Sequence, residues 1–383
     1  MKVLAYLDHN AITPVRPEAK AAVSAALEVF GNPSSVHAAG RAARDVLDLA
    51  RARVAAALGA RTSEIVFTSG ATESAALAIR GVLERAPAGR DELVVTAVEH
   101  PCVLALARAI ASAGRRVTVL PVDRMGLPDL DAARAAITSR TALACAMLAN
   151  NEIGVLLPVQ ELAAMAHDQG ALLFTDAAQA VAKVPVDVRT LGVDLLSLTA
   201  QKLGGPRGVG ALWVKDGVGL SPLAGGTQER GRRPGTENLP GIAGLGAAIE
   251  VAVAGRAAEA ERVAALRDRL EAGLLSRIPG SVVNGAGAPR LPGTSSICFP
   301  GTDAEALLIA LDLEGICASA GSACHSGSSR PSEVLTAIGL TPGEARATLR
   351  LSLGWTSADE DVDRALEALP RLVRQVRAAI PGT

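Results

Sequence analysis

The sequence predicts an α/β protein built on a mostly parallel seven-stranded sheet, with a smaller α+β unit towards the C-terminal side. Three observations predict it. Short β-branched apolar runs alternate with alanine-rich helical runs over the first two-thirds of the chain. The rhythm breaks near residue 255, where a charged helical run begins. A Gly/Pro-rich stretch, Gly285–Gly293, then leads into a second, shorter set of strands and helices.

Strands are predicted at Glu64–Thr68, Leu93–Thr96, Val117–Pro121, Thr141–Leu148, Ala171–Thr175, Leu195–Leu198 and Gly210–Val214. Each is largely apolar at successive positions, as expected of strands covered by helices on both faces. The clearest helix spans about Gly40–Leu58: Ala43, Val46, Leu47, Ala50, Val54 and Leu58 fall on one face, and Gly59 supplies a stop. After the break come a charged helix (Ala257–Arg277), a strand (Ser295–Phe299), a helix (Asp303–Glu314) and a strand leading into a loop (Ile316–Ser329). A last helix covers Asp359–Ala379. There is no internal repeat and no low-complexity linker.

The bulk composition narrows the function. A net charge of −1 supplies no field for nucleic acid or an acidic membrane, and 2% aromatic residues leave little for base stacking. No uninterrupted apolar run is long enough to span a bilayer, and Met1–Asp8 lacks the apolar stretch of a signal peptide. The five cysteines, Cys102, Cys145, Cys298, Cys317 and Cys324, match no zinc or disulfide spacing, so free thiols in the cytoplasm are expected. Lysine occurs at only five positions, Lys2, Lys20, Lys183, Lys202 and Lys215, which leaves few candidates for amine chemistry.

Lys202 follows the Leu195–Leu198 strand and precedes Gly204-Gly205-Pro206. A lysine at a strand end among small residues suits Schiff-base chemistry, with a surface lysine on a turn as the alternative. Asp176 closes the Ala171–Thr175 strand, at the edge where open α/β sheets bind ligands. It suits the anion beside a protonated pyridine ring, or a helix N-cap. In Phe67-Thr68-Ser69-Gly70-Ala71-Thr72-Glu73 a strand runs through small residues into a helix, which favours a phosphate site over an over-long capping box. It matches neither nucleotide loop. His100, also just past a strand, suits acid–base work or stacking on a cofactor, or is a solvated loop histidine. Cys324 sits mid-loop in Ala318–Ser329, a run of small residues where a thiol is expected to react rather than pack. Cys102, Cys145, Cys298 and Cys317 read as packing residues.

Taken together these stretches resemble the cysteine desulfurases, a branch of the class V aminotransferase family. The resemblance runs from Tyr6-Leu7-Asp8-His9-Asn10-Ala11 through Gly31-Asn32-Pro33-Ser34-Ser35-Val36-His37, Asn150-Asn151-Glu152-Ile153-Gly154 and Arg233-Pro234-Gly235-Thr236-Glu237-Asn238 to Arg350-Leu351-Ser352-Leu353-Gly354. It implies a type I pyridoxal-phosphate-dependent transferase fold like that of aspartate aminotransferase. A large cofactor-binding domain would cover 14–257. A small domain of 1–13 and 258–383 would carry the cysteine loop.

The resemblance also implies roles. Lys202 would hold pyridoxal phosphate covalently and move protons. Asp176 would pair with its ring nitrogen, and His100 would stack on the ring. Asn151 and Gln179 would bond the ring hydroxyl, while Ala71, Thr72, Thr199 and Gln201 would hold the phosphate. Thr236 would reach the phosphate of a second subunit in a homodimer with shared sites. Asn32 and Arg350 would hold the carboxylate of L-cysteine. Cys324 would carry the persulfide to an iron–sulfur scaffold or other acceptor, and could transiently ligate a cluster; no other metal is expected. Three positions depart from the pattern: Gln201 for the usual histidine, Thr199 for serine and Ile12 for threonine. The chain ends at Thr383, where related enzymes carry a longer tail that helps dock the scaffold, so the acceptor stays open. The alternatives are a selenocysteine lyase, an aminotransferase of the same fold, or a non-catalytic sulfur-relay partner.

Overall fold

The computed structural model describes residues 4–321 and 331–379. A short strand, β1 (Ala5–Tyr6), precedes seven strands: β2 (Ile65–Thr68), β3 (Glu92–Thr96), β4 (Val117–Leu120), β5 (Thr141–Cys145), β6 (Leu172–Asp176), β7 (Leu195–Thr199) and β8 (Gly210–Val214). These seven form one sheet in the order β2-β8-β7-β6-β5-β3-β4. Only β8 runs against the rest, pairing antiparallel with both β2 and β7.

Alternation along each strand explains the two helical layers. Val66, Leu93 and Val95 point into one core with Leu77, Ile79 and Val103, from helices Ala71–Arg85 and Pro101–Ser112. Ile65, Phe67 and Val94 point into the other core with Leu47, Leu162 and Leu245, from helices Ala38–Leu58, Val159–Asp168 and Leu239–Ala254. Both faces are buried, so the strands read as continuous apolar runs. The predicted stop of the Ala38–Leu58 helix is present: Gly59 adopts the left-handed conformation, φ 68°.

The remaining strands are β9 (Val282–Val283), β10 (Thr294–Cys298), β11 (Ile316–Cys317), β12 (Ser319–Ala320) and β13 (Thr348–Ser352). Four of them make a second sheet, β12-β13-β10-β9, while β1 pairs parallel with β11. Helices Arg256–Arg277, Ala304–Leu313 and Asp359–Ala379 cover this region around a separate core that includes Leu7, Leu270, Phe299, Leu351 and Leu369.

Predicted element ends shift by a residue or so, with one larger difference. The Thr141–Leu148 run leaves the ladder after Cys145. Beyond it the chain bends over the sheet edge, with Leu148 N–H donating to Asp176 O, and delivers Asn150 and Asn151 to the site. Among the described residues no single helix is long and apolar enough to cross a membrane. Leu239–Ala254 is apolar all round because it is buried, and it turns by 72° into the charged Arg256–Arg277.

Candidate active site

The carboxyl ends of β2, β3, β5, β6 and β7 share one edge of the sheet, and a cavity of about 420 Å³ opens there. Ala71, Thr72, His100, Asn151, Asp176, Gln179, Thr199, Gln201, Lys202 and Arg350 all line it. Residues spread over nearly three hundred positions of sequence thus meet in one place.

At one end, Gly70 takes φ 153°, a conformation side-chain-bearing residues rarely adopt, and opens the helix Ala71–Arg85. A Cβ on Gly210 would fall 2.7 Å from Gly70 Cα, so the bare backbone of β8 lets the two segments touch. The first-turn N–H groups, the helix dipole and the hydroxyls of Thr72 and Thr199 make an anion cradle there, with the Gln201 amide nearby. Glu73 does reach back, accepting from Ser69 N–H at 2.7 Å, but the N-cap is Gly70, which has no side chain to complete a capping box. Burial opposes its charge, but bonds from Arg233 (2.8 Å) and Ser69 outweigh it and hold the carboxyl below its usual range.

Asp176 ends β6 and is buried. Its Oδ1 accepts from Ser197 Oγ and Ala178 N–H, both at 2.9 Å. The bond to Ala178 is the cap-like contact foreseen, although only turns follow it. Across the cavity, His100 caps the helix Pro101–Ser112, with Nδ1 accepting from Cys102 N–H at 3.2 Å. Nδ1 is therefore an acceptor and Nε2 carries the proton. Burial lowers the basicity of this imidazole, Asp176 works against that, and Lys202 adds to it.

Lys202 ends the short helical turn after β7, and its Nζ donates to the backbone oxygens of Asn10 (2.5 Å) and Ala11 (2.6 Å). Asn10 is a hub that sequence reasoning did not single out. Its own Nδ2 bonds Thr294 Oγ1 and Asn151 O, its O also accepts from Gln179, and its Oδ1 accepts from Lys183. Arg350, on β13, is buried; its two terminal nitrogens reach Asn151 O (3.0 Å) and Asp8 Oδ1 (2.9 Å). Its Nε is buried with no hydrogen-bond partner among the described residues.

Cys102 corrects one expectation. It is half-buried and packs against the core that holds Leu77 and Val103, yet it also lines the cavity with Sγ 3.0 Å from His100 Nδ1. Burial, Asp176 and nearby Glu99 push its pKa up to about 12, so it is a thiol that donates, not a nucleophile. Cys145 and Cys298 are buried as expected, whereas Cys317 is half-buried. Asn32 is exposed and outside the cavity, its Oδ1 accepting from Ser34 N–H; Thr236 is likewise exposed on a loop away from it. Cys324 lies outside the described residues. The chain on either side of it is rooted beside the cavity: Ser319 Oγ bonds Asp8, the partner of Arg350, and Ser332 Oγ bonds Glu152, next to Asn151.

An amine, a buried carboxylate opposite it, a neutral imidazole and an anion cradle fit a phosphorylated pyridine aldehyde. The Aminotransferase class-V family matches residues 5–365. A cysteine desulfurase of Gluconacetobacter diazotrophicus is 49% identical over 98% of this chain and 95% of its own length. The cysteine desulfurase IscS of Methanosarcina thermophila is 44% identical over 99% and 94%. A solved NifS-like protein superposes with TM-score 0.90 at 33% identity, covering 97% of this chain and all of its own. SspA in complex with cysteine gives TM-score 0.80 at 35% identity, over 91% and 98%.

Proposed function

The chain belongs to the class V aminotransferase family, as a cysteine desulfurase, and we propose that it uses Lys202 and Cys324 with pyridoxal phosphate to take sulfur from L-cysteine. The observation that carries the residue roles is the meeting of Lys202, Asp176, His100 and the Gly70–Thr72 cradle in one cavity. In this reading residues 14–257 hold the cofactor and the remainder brings the sulfur-carrying loop.

Pyridoxal phosphate, when bound, supplies an electron sink that makes the substrate Cα–H acidic and weakens its C–S bond. Ala71, Thr72, Thr199 and Gln201 anchor its phosphate, Asp176 faces its ring nitrogen, and Asn151 and Gln179 its ring hydroxyl. Arg350, which lines the cavity, takes the substrate carboxylate with its guanidinium. Lys202 Nζ removes the proton from substrate Cα and later returns one; His100, protonated at Nε2, moves protons beside it. The Cys324 thiolate attacks the substrate sulfur. A new S–S bond forms, the C–S bond breaks, and alanine leaves after carbon takes up a proton. The persulfide then passes to an acceptor such as an iron–sulfur scaffold. Thr236 is assigned to the partner's phosphate in a homodimer, which accounts for its exposure on a single chain.

The test is direct. Protein loaded with pyridoxal phosphate should convert L-cysteine to alanine with a thiol reductant present. Borohydride reduction followed by peptide mapping should place the adduct on Lys202. An adduct on Lys183 or Lys215 overturns the assignment.

A further inference from the structure

Lys183 is a half-buried amine that the reaction does not use. It follows Ala182, a non-glycine residue held at φ 65°, and the turn directs its side chain inward. Nζ donates to Gln179 Oε1 at 2.6 Å and to Asn10 Oδ1 at 3.0 Å. Gln179 Nε2 in turn donates to Asn10 O at 2.9 Å, the same oxygen that takes Lys202 Nζ. Lys183 lies behind the cavity wall, in a small second hollow that also borders Lys202, His9, Arg16 and Glu259.

We propose that Lys183 is a positioning residue: it fixes the side-chain amide of Gln179 so that the amide presents N–H, not oxygen, to the cavity. Nζ faces two oxygens and donates to both. An ammonium has three donors and no acceptor, and the neutral amine keeps two N–H groups for the same two oxygens, so the neighbouring amide turns its oxygen to Lys183 in either state. One hydrogen of Nε2 goes to Asn10 O, and the other is left for the cavity. Without Lys183 the amide is oriented by the Asn10 oxygen alone, and a flip would turn its own oxygen towards the cavity. Lys183 also places a second amine near Lys202. Burial, Lys202 and Arg350 lower its pKa to about 7, with Glu259 opposing.

The inference rests on the cofactor reading above, and its test separates the two. Pyridoxal phosphate is titrated into apo protein of the wild type, Lys183→Met, Gln179→Ala and the double variant, and the visible band is followed against pH. Lys183→Met alone should weaken binding about tenfold, the scale of a charge-assisted hydrogen bond. In the Gln179→Ala background the same change should cost less than about twofold, because the two side chains act as one unit. The pH midpoint of the band should rise by about half a unit or more in Lys183→Met, since a neighbouring cation and an N–H donor to the ring oxygen are both lost. Lys183→Gln, which keeps an N–H donor, should recover most of the affinity but not the midpoint. It carries the comparison if Lys183→Met loses its native circular dichroism. Equal losses in both backgrounds, or an unmoved midpoint, overturn the role of Lys183 alone. A wild type that takes up no pyridoxal phosphate overturns the cofactor reading with it.

Discussion

Glu99 stands beside the imidazole that lines the cavity, yet it is fully enclosed. Its Oε1 accepts from Thr96 Oγ1 at 2.6 Å and Met147 N–H at 2.7 Å, while Oε2 is buried with no partner. Burial is the larger influence and the two bonds only partly offset it, so the carboxyl is pushed from 4.5 up to about 7. A carboxyl with a raised native pKa holds its proton more tightly when folded. Its contribution is whole below pH 4.5 and is lost as pH climbs towards 7. At about 1.4 kcal/mol per pH unit the full loss is roughly 3 kcal/mol. Glu99→Gln keeps the oxygen that accepts and cannot ionise. Urea midpoints of both proteins should be measured at pH 5 and pH 8, and the differences between variants compared, which cancels any pH-independent cost of the amide. The variant should gain about 2–3 kcal/mol on the native protein between those two values. Parallel behaviour at both pH values would show that Glu99 is ionised at little cost in the folded chain.

Other consequences are testable in the same preparations. Cys324→Ala should still bind pyridoxal phosphate and respond spectrally to L-cysteine, yet release almost no alanine; near-normal turnover would refute the persulfide role. Gln201→His should tighten cofactor binding by about 1 kcal/mol, as a neutral donor gives way to one that can carry charge; weaker binding would mean that the local packing favours glutamine. Ala182→Gly should raise the urea midpoint by an amount worth up to about 1 kcal/mol, because glycine adopts φ 65° without strain. A lowered midpoint would show that chain entropy outweighs that relief.

The strands were legible because both faces of the sheet are apolar, and the cavity because strand-end residues such as Asp176, His100 and Lys202 follow them directly. What was not legible depends on contacts between distant segments. Asn10 lies within a quoted signature, but its bonds reach Asn151, Lys183 and Thr294. Lys183 was visible only as one of five lysines, since nothing local reveals that its amine meets Gln179. Cys102 read as packing because its apolar helix hides the fact that the first turn faces the cavity. The unpartnered Nε of Arg350 is a property of the assembled site alone.

The pairing of the first strand carries a consequence for biosynthesis. Ala5 lies against Ile316 and Asp8 bridges to Ser352, so the stretch leading into the segment that braces Lys202 waits for partners made much later. At 5–20 residues per second on the ribosome, that wait lasts about 15–60 s. The seven-stranded sheet has all of its strands long before, once Val214 has emerged. A chain of that length already holds the partners of Asn10 at Asn151, Gln179 and Lys183, but not the strands that Ala5 and Asp8 pair with. The cavity is therefore completed late: Arg350, on β13, joins its wall only after nearly the whole chain has been made, long after Lys202 is in place.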